Sequence, residues 1–184
     1  DLDVVDEGDD VVFQVDVSGA GRDSGRSVRV FFRDDADPER GKSAEHETLL
    51  KIYRAELKHG KWTNVTELPF NNDQFSTAHP ALNKDEDMLY FVSDRPGGYG
   101  SSDIWRVEIN GYDFGKPENL GPMINTDARE NFPFINSNNE LYFSSDGRDG
   151  LGGLDIYATK INPDDSFSRV LNIGTPINSE FDDF

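Results

Sequence analysis

The chain has 184 residues, enough for one domain with a real core, yet only 35% of them are hydrophobic and 13 Phe, 6 Tyr and 2 Trp supply much of that share. Asp and Glu number 36 against 18 Lys and Arg, a net charge of -18, which repels phosphate backbones and anionic lipid surfaces and counts against nucleic-acid binding. The absence of Cys excludes a disulfide framework and a thiolate metal site, and no apolar run approaches the roughly 18 residues of a membrane-spanning helix.

The opening DLDVVDEGDD has neither the basic nor the apolar region of a signal peptide, and a chain that starts on Asp rather than Met reads as an excised or processed piece. Residues 1–48 carry 14 acidic and 6 basic side chains. Two strands are predicted there. VVFQVDV, residues 11–17, alternates so that Val11, Phe13, Val15 and Val17 share a side, and SVRVFF, residues 27–32, is β-branched and aromatic. SGAGRDSG between them reads as a hairpin loop. DDADPERGKSAEHE, residues 34–47, has almost no apolar side chain and reads as a solvent-exposed excursion.

From Leu49 onward the chain repeats itself. Leu89, Tyr90, Phe91, Ser93 and Asp94 recur 52 positions later as Leu141, Tyr142, Phe143, Ser145 and Asp146. Gly100, Asp103 and Ile104 recur as Gly152, Asp155 and Ile156, while Asn119, Gly121, Ile124 and Asn125 recur 53 positions on as Asn172, Gly174, Ile177 and Asn178. Ile52 and Tyr53 stand 52 positions before Ile104 and Trp105. A period of about 50 residues belongs to propeller blades and solenoid repeats. Residues 1–48 are expected to start a first blade and 49–74 to complete it; 75–127 form a second blade, 128–178 a third, and 179–184 the first strand of a further one.

Within the second copy four strand signals, AHPALN, MLYFVSD, DIWRVEI and KPENLG, are separated by the turn-rich KDED, RPGGYGSS and NGYDFG. This predicts a four-stranded antiparallel meander. A sheet apolar on both faces must stack on neighbours, and radial stacking gives an all-β fold, a β-propeller. Closure needs about four blades or more, so the chain is expected to be a partial propeller or part of a larger one.

LYFVSDRPGGYGSSDIW and LYFSSDGRDGLGGLDIY closely resemble the WD40-like, TolB-like propeller repeat. With TLLKIYRAELKHGKWTNVTELPFN, STAHPALN, ENFPFI and INSEFDDF, residues 48–184 resemble the propeller of Bacteroidetes-type OmpA-family outer-membrane lipoproteins. In that family the propeller lies between a tetratricopeptide region and a peptidoglycan-binding domain, and some members are accessory components of type IX secretion. The resemblance implies a periplasmic, outer-membrane-associated chain with protein partners in the cell envelope and no insertion of its own into the membrane.

The residues themselves offer three constellations. Asp94 and Asp103 flank RPGGYGSS, and Asp146 and Asp155 flank GRDGLGGL with Asp149 inside. Carboxylates around glycine-rich turns suit calcium; equally, they cap backbone N–H groups in Asx-type turns. His46, His59 and His79 have no spacing that gathers them into a zinc site. Among the aromatics, Trp62, Trp105, Tyr112, Phe114 and Tyr157 suit either a sugar-stacking surface or packing between blades, and Trp105 and Tyr157 share a repeat position. PGGYG and GLGG lack the helix and lysine of a phosphate loop.

The first expectation is thus a non-catalytic interaction scaffold without a cofactor. A module for glycan or peptidoglycan fragments, with Tyr99, Tyr112 or Phe114 exposed, is the second. A propeller hydrolase or lyase, whose carboxylates or histidines converge from different blades, is the third.

Overall fold

The computed structural model describes residues 12, 13, 30, 31, 49–59 and 61–184. Of the two early strands, β1 (Val12–Phe13) and β2 (Val30–Phe31) are seen, antiparallel, with Val12 opposite Phe31. The rest of both stretches, the loop between them and the acidic excursion lie outside the described residues. Every named strand pair is antiparallel, no helix occurs among the described residues, and no sheet closes on itself. The chain divides after Ala78 into two compact units.

In the first unit, β3 (Tyr53–Lys58) and β4 (Lys61–Glu67) form a hairpin, Tyr53 opposite Glu67. His59 turns it with φ 52°. Ile52, Ala55 and Leu68 are buried, and the Leu68 N–H donates to the Ile52 carbonyl at 3.1 Å. Lys51 reaches Asp73 at 2.5 Å and Glu67 at 3.3 Å. The hydrogen bond that the Lys51 ammonium donates to Asp73 raises it well above the ordinary lysine range, against the opposing effect of burial.

The second unit holds two sheets. The first joins β5 (Thr77–Leu82), which starts just before the division, β6 (Met88–Ser93), β7 (Asp103–Asn110) and β8 (Asp113–Phe114) in that order, and β9 (Glu118–Asn119) pairs with β7. The second is a four-stranded meander of β10 (Glu130–Ile135), β11 (Glu140–Ser145), β12 (Asp155–Lys160) and β13 (Leu171–Asn172). Their central registers coincide: Phe91 faces Trp105 and Ser93 faces Asp103, as Phe143 faces Tyr157 and Ser145 faces Asp155. The predicted fourth strand over 116–121 is reduced to the two residues of β9, and β8 adds a short pairing of Ile109 with Phe114 whose counterpart in residues 128–178 is the single bridge of Ile161 with Phe167.

The hairpins close alike. Asn83 Oδ1 accepts the N–H groups of Asp87 and Met88 at 3.1 and 3.0 Å, and Asn136 Oδ1 accepts those of Asn138 and Glu140 at 2.9 and 3.0 Å. Glu86 and Asn139 supply the left-handed residue, with φ 56° and 58°. Successive strand residues point to opposite faces. Tyr90, Val92, Ile104, Leu120 and Ile124 of the first sheet therefore meet Ile135, Leu141, Phe143 and Tyr157 of the second in one apolar core.

Candidate functional site

The two glycine-rich corners, between β6 and β7 and between β11 and β12, are built around one buried aspartate each. Asp103 accepts the Tyr99 N–H at 2.5 Å, the Gly100 N–H at 3.1 Å and the Asn119 amide at 2.8 Å. Asp155 Oδ2 accepts the N–H groups of Leu151 and Gly152 at 2.9 and 3.1 Å. A carboxylate that takes several N–H groups fixes a loop conformation. The glycines follow from it: a Cβ on Gly98 or Gly150 would fall on the carboxylate of Asp103 or Asp155.

The repeat breaks at one atom. Asn119 donates to Asp103, whereas its equivalent Asn172 donates to the Asp149 carbonyl at 3.3 Å, beside the Tyr157 hydroxyl at 2.9 Å. Asp155 Oδ1 is left buried without a hydrogen bond.

The other predicted aspartates stand apart from these. Asp94 and the side chain of Asp149 are exposed. Asp146 accepts both the backbone N–H and the guanidinium Nε of Arg129 at 2.8 Å, with Nη2 at 2.7 Å. Burial pushes its carboxyl up, and the Arg129 hydrogen bonds outweigh that and hold it below the usual value. Among the described residues, no three acidic or histidine side chains gather where a metal ion would sit.

Three features escaped the sequence reading. Arg95 lies over the rings of Phe91 and Trp105 at 4.8 and 5.3 Å, and Arg148, 53 positions later, lies over Phe143 and Tyr157 at 5.7 and 5.8 Å. Burial pulls the Arg95 guanidinium down to about 10, against Asp94, and Arg148 donates to the carbonyls of Met123 and Ile124 at 2.7 and 2.8 Å. Glu130 is fully buried, accepting from the Thr126 N–H, the Thr126 hydroxyl and the Ser145 hydroxyl at 2.8, 2.6 and 2.7 Å. Each repeat also carries an asparagine clamp. Asn71, Asn125 and Asn178 accept the N–H of Ile52, Ile104 and Ile156 and return an amide N–H to the same residue's carbonyl. The recurrence of Arg and Asn at one period was the available signal.

The aromatics divide sharply. Trp105 and Tyr157 are buried and belong to packing. Phe114 and Trp62 are half-buried. Tyr99 and Tyr112 keep 53% and 65% of their surface.

A further aromatic set lies on the first strands. His79 and Phe132 occupy the same repeat position, both with left-handed backbone (φ 46° and 51°), and their rings stack at 4.1 Å between centroids. Phe184 extends the column at 4.9 Å from Phe132. Non-glycine residues hold such φ values at a cost of order 1 kcal/mol or more, and here the same strain occurs in both copies. Burial lowers the His79 imidazole to about 4, so it is neutral near pH 7. His59 is exposed on its hairpin, and His46 lies outside the described residues.

Fold and site together define an all-β repeat protein of antiparallel sheets with constant polar corners and changing exposed tips. No protein-family model and no curated protein matches the sequence.

Proposed function

We propose that the chain is a β-propeller segment similar to the WD40-like propellers of OmpA-family outer-membrane lipoproteins, and that it is a non-catalytic scaffold for protein partners in the cell envelope. One observation carries this reading. Asp103 and Asp155 hold the same corner in successive repeats, yet the tip residue is Tyr99 in one and Leu151 in the other, with 53% and 54% of their surface exposed. A fixed frame that presents different apolar tips is the arrangement by which repeat proteins vary what they bind.

Its test is a photo-crosslinking residue placed at Tyr99, at Leu151 and, as control, at exposed Lys84. Discrete protein adducts from the two tips and none from the control are expected within the native envelope. Absence of tip adducts would overturn the scaffold reading.

The exposed Tyr99 and Tyr112 favour a second reading, a module for peptidoglycan or other glycan fragments, since ring faces open to solvent can stack on sugars. Calorimetric titration with muropeptides decides it. Binding that Tyr99→Ala with Tyr112→Ala abolishes would replace the scaffold by a glycan module.

A further inference from the structure

Strands β6 and β11 run towards the glycine-rich corners and β7 and β12 run back from them, so the two corners lie at corresponding ends of their sheets. The connection over residues 121–129 crosses the same end, because Glu130, which follows it, pairs with Ser145 at the close of β11. Hydrogen bonds set the three segments side by side. The Ser101 N–H donates to the Ala128 carbonyl at 2.7 Å, the Arg129 N–H to Asp146 at 2.8 Å, and Arg148 Nη2 to the carbonyls of Met123 and Ile124. Each segment carries one large apolar side chain into solvent: Tyr99, Met123 and Leu151 keep 53%, 53% and 54% of their surface.

The charges of this end are sorted by sign. Its three arginines are all engaged: Arg95 is buried over Phe91 and Trp105, Arg129 holds Asp146, and Arg148 covers Phe143 and Tyr157 while bonding two carbonyls. Asp94, Asp127 and Asp149 are exposed, one in each segment. Three apolar tips thus stand among outward carboxylates, on a chain whose net charge is already -18. Such a field draws in cationic partners and turns away anionic ones.

We infer that this end receives a basic amphipathic polypeptide, one that brings lysine or arginine together with apolar side chains. Its apolar groups meet Tyr99, Met123 and Leu151, which supply the contact area, and its cations meet Asp94, Asp127 and Asp149, which set sign and approach rate. The corners are held by Asp103 and Asp155, so the tips are ordered before the partner arrives and little further ordering opposes binding. The inference rests on the scaffold reading above and adds the chemistry of the partner.

The probe is a helical peptide of about 18 residues with leucine on one face and lysine on the other, titrated calorimetrically into the 184-residue chain. Tyr99→Ser with Leu151→Ser is expected to weaken binding at least about tenfold. Asp127→Lys with Asp149→Lys should do the same, while Asp85→Lys with Asp113→Lys, an equal change of charge at exposed positions of the opposite end, should alter affinity less than about threefold. All of these positions are exposed, and circular dichroism confirms that each variant folds. No binding, equal losses from the two charge reversals, indifference to the tip substitutions, or equal binding of the peptide with glutamate in place of lysine would each overturn the inference. Envelope adducts at Tyr99 and Leu151 alongside such a result would leave the scaffold standing and remove only the basic partner. Absence of those adducts would remove both.

Discussion

Asn125 pairs with Ile104 as another strand would: its Oδ1 accepts the Ile104 N–H at 2.8 Å and its Nδ2 donates to the Ile104 carbonyl at 3.0 Å. Nδ2 also reaches Asn119 Oδ1 at 2.8 Å, and the Leu120 N–H shares the same carbonyl at 3.2 Å. One side chain thus completes the backbone pairing of β7 where its neighbouring strand has ended.

Asn125→Ala should therefore be costly. It strands the N–H of fully buried Ile104 and weakens bonding to its carbonyl, and each buried unsatisfied group costs about 1–3 kcal/mol. A loss of about 2–4 kcal/mol in chemical unfolding is expected. Asn125→Asp keeps the acceptor but not the donor and should lose nearly as much at neutral pH. A cost within about 0.5 kcal/mol would mean that the clamp is not stabilising.

Gly100→Ala and Gly115→Ala separate close approach from glycine content. A Cβ on Gly100 falls on the Ala128 carbonyl, while on Gly115 it meets only ordinary contacts from 3.5 Å outward. Gly100→Ala is expected to destabilise by at least about 2 kcal/mol, and Gly115→Ala to change stability by under about 0.5 kcal/mol. Equal melting temperatures for the two variants would contradict the close packing at residue 100.

His79 predicts a pH window. Burial lowers its folded-state value to about 4 from an ordinary 6.5, so between these limits the unfolded chain binds more protons and stability rises with pH. The contribution is fully present above about 6.5 and lost as pH falls towards 4, a difference on the order of 3 kcal/mol. His79→Phe, which matches the ring that Phe132 already holds at the same φ, should flatten that part of the stability profile. An NMR titration of His79 with a midpoint near 6.5 would refute this account.

The aspartate corners predict a response independent of calcium. Asp155→Ala removes the acceptor for two N–H groups and should cost about 2–4 kcal/mol, in calcium, magnesium or chelator alike. Asp155→Asn retains an acceptor for Leu151 and Gly152 and should cost less. A calcium-specific rise in melting temperature that Asp155→Ala with Asp146→Ala abolishes would instead make these corners ion sites.

The sequence by itself determined the period, the phase of the strands and the two aspartate corners, because these rest on local chemistry: alternation sets the faces of β6 and β11, and Asp103 and Asp155 cap N–H groups three and four residues before them. Tertiary structure alone decided the roles of residues whose partners lie far along the chain. Asp146 and Asp155 belong to one motif, yet one pairs with Arg129 at the surface and the other is buried. Arg95 and Arg148 became lids over aromatic pairs formed only once two strands were in register. Ile124 and Ile177 are the same residue in the same motif, and one is buried and the other exposed because burial depends on which sheet lies opposite, a relation between repeats that a single repeat does not encode.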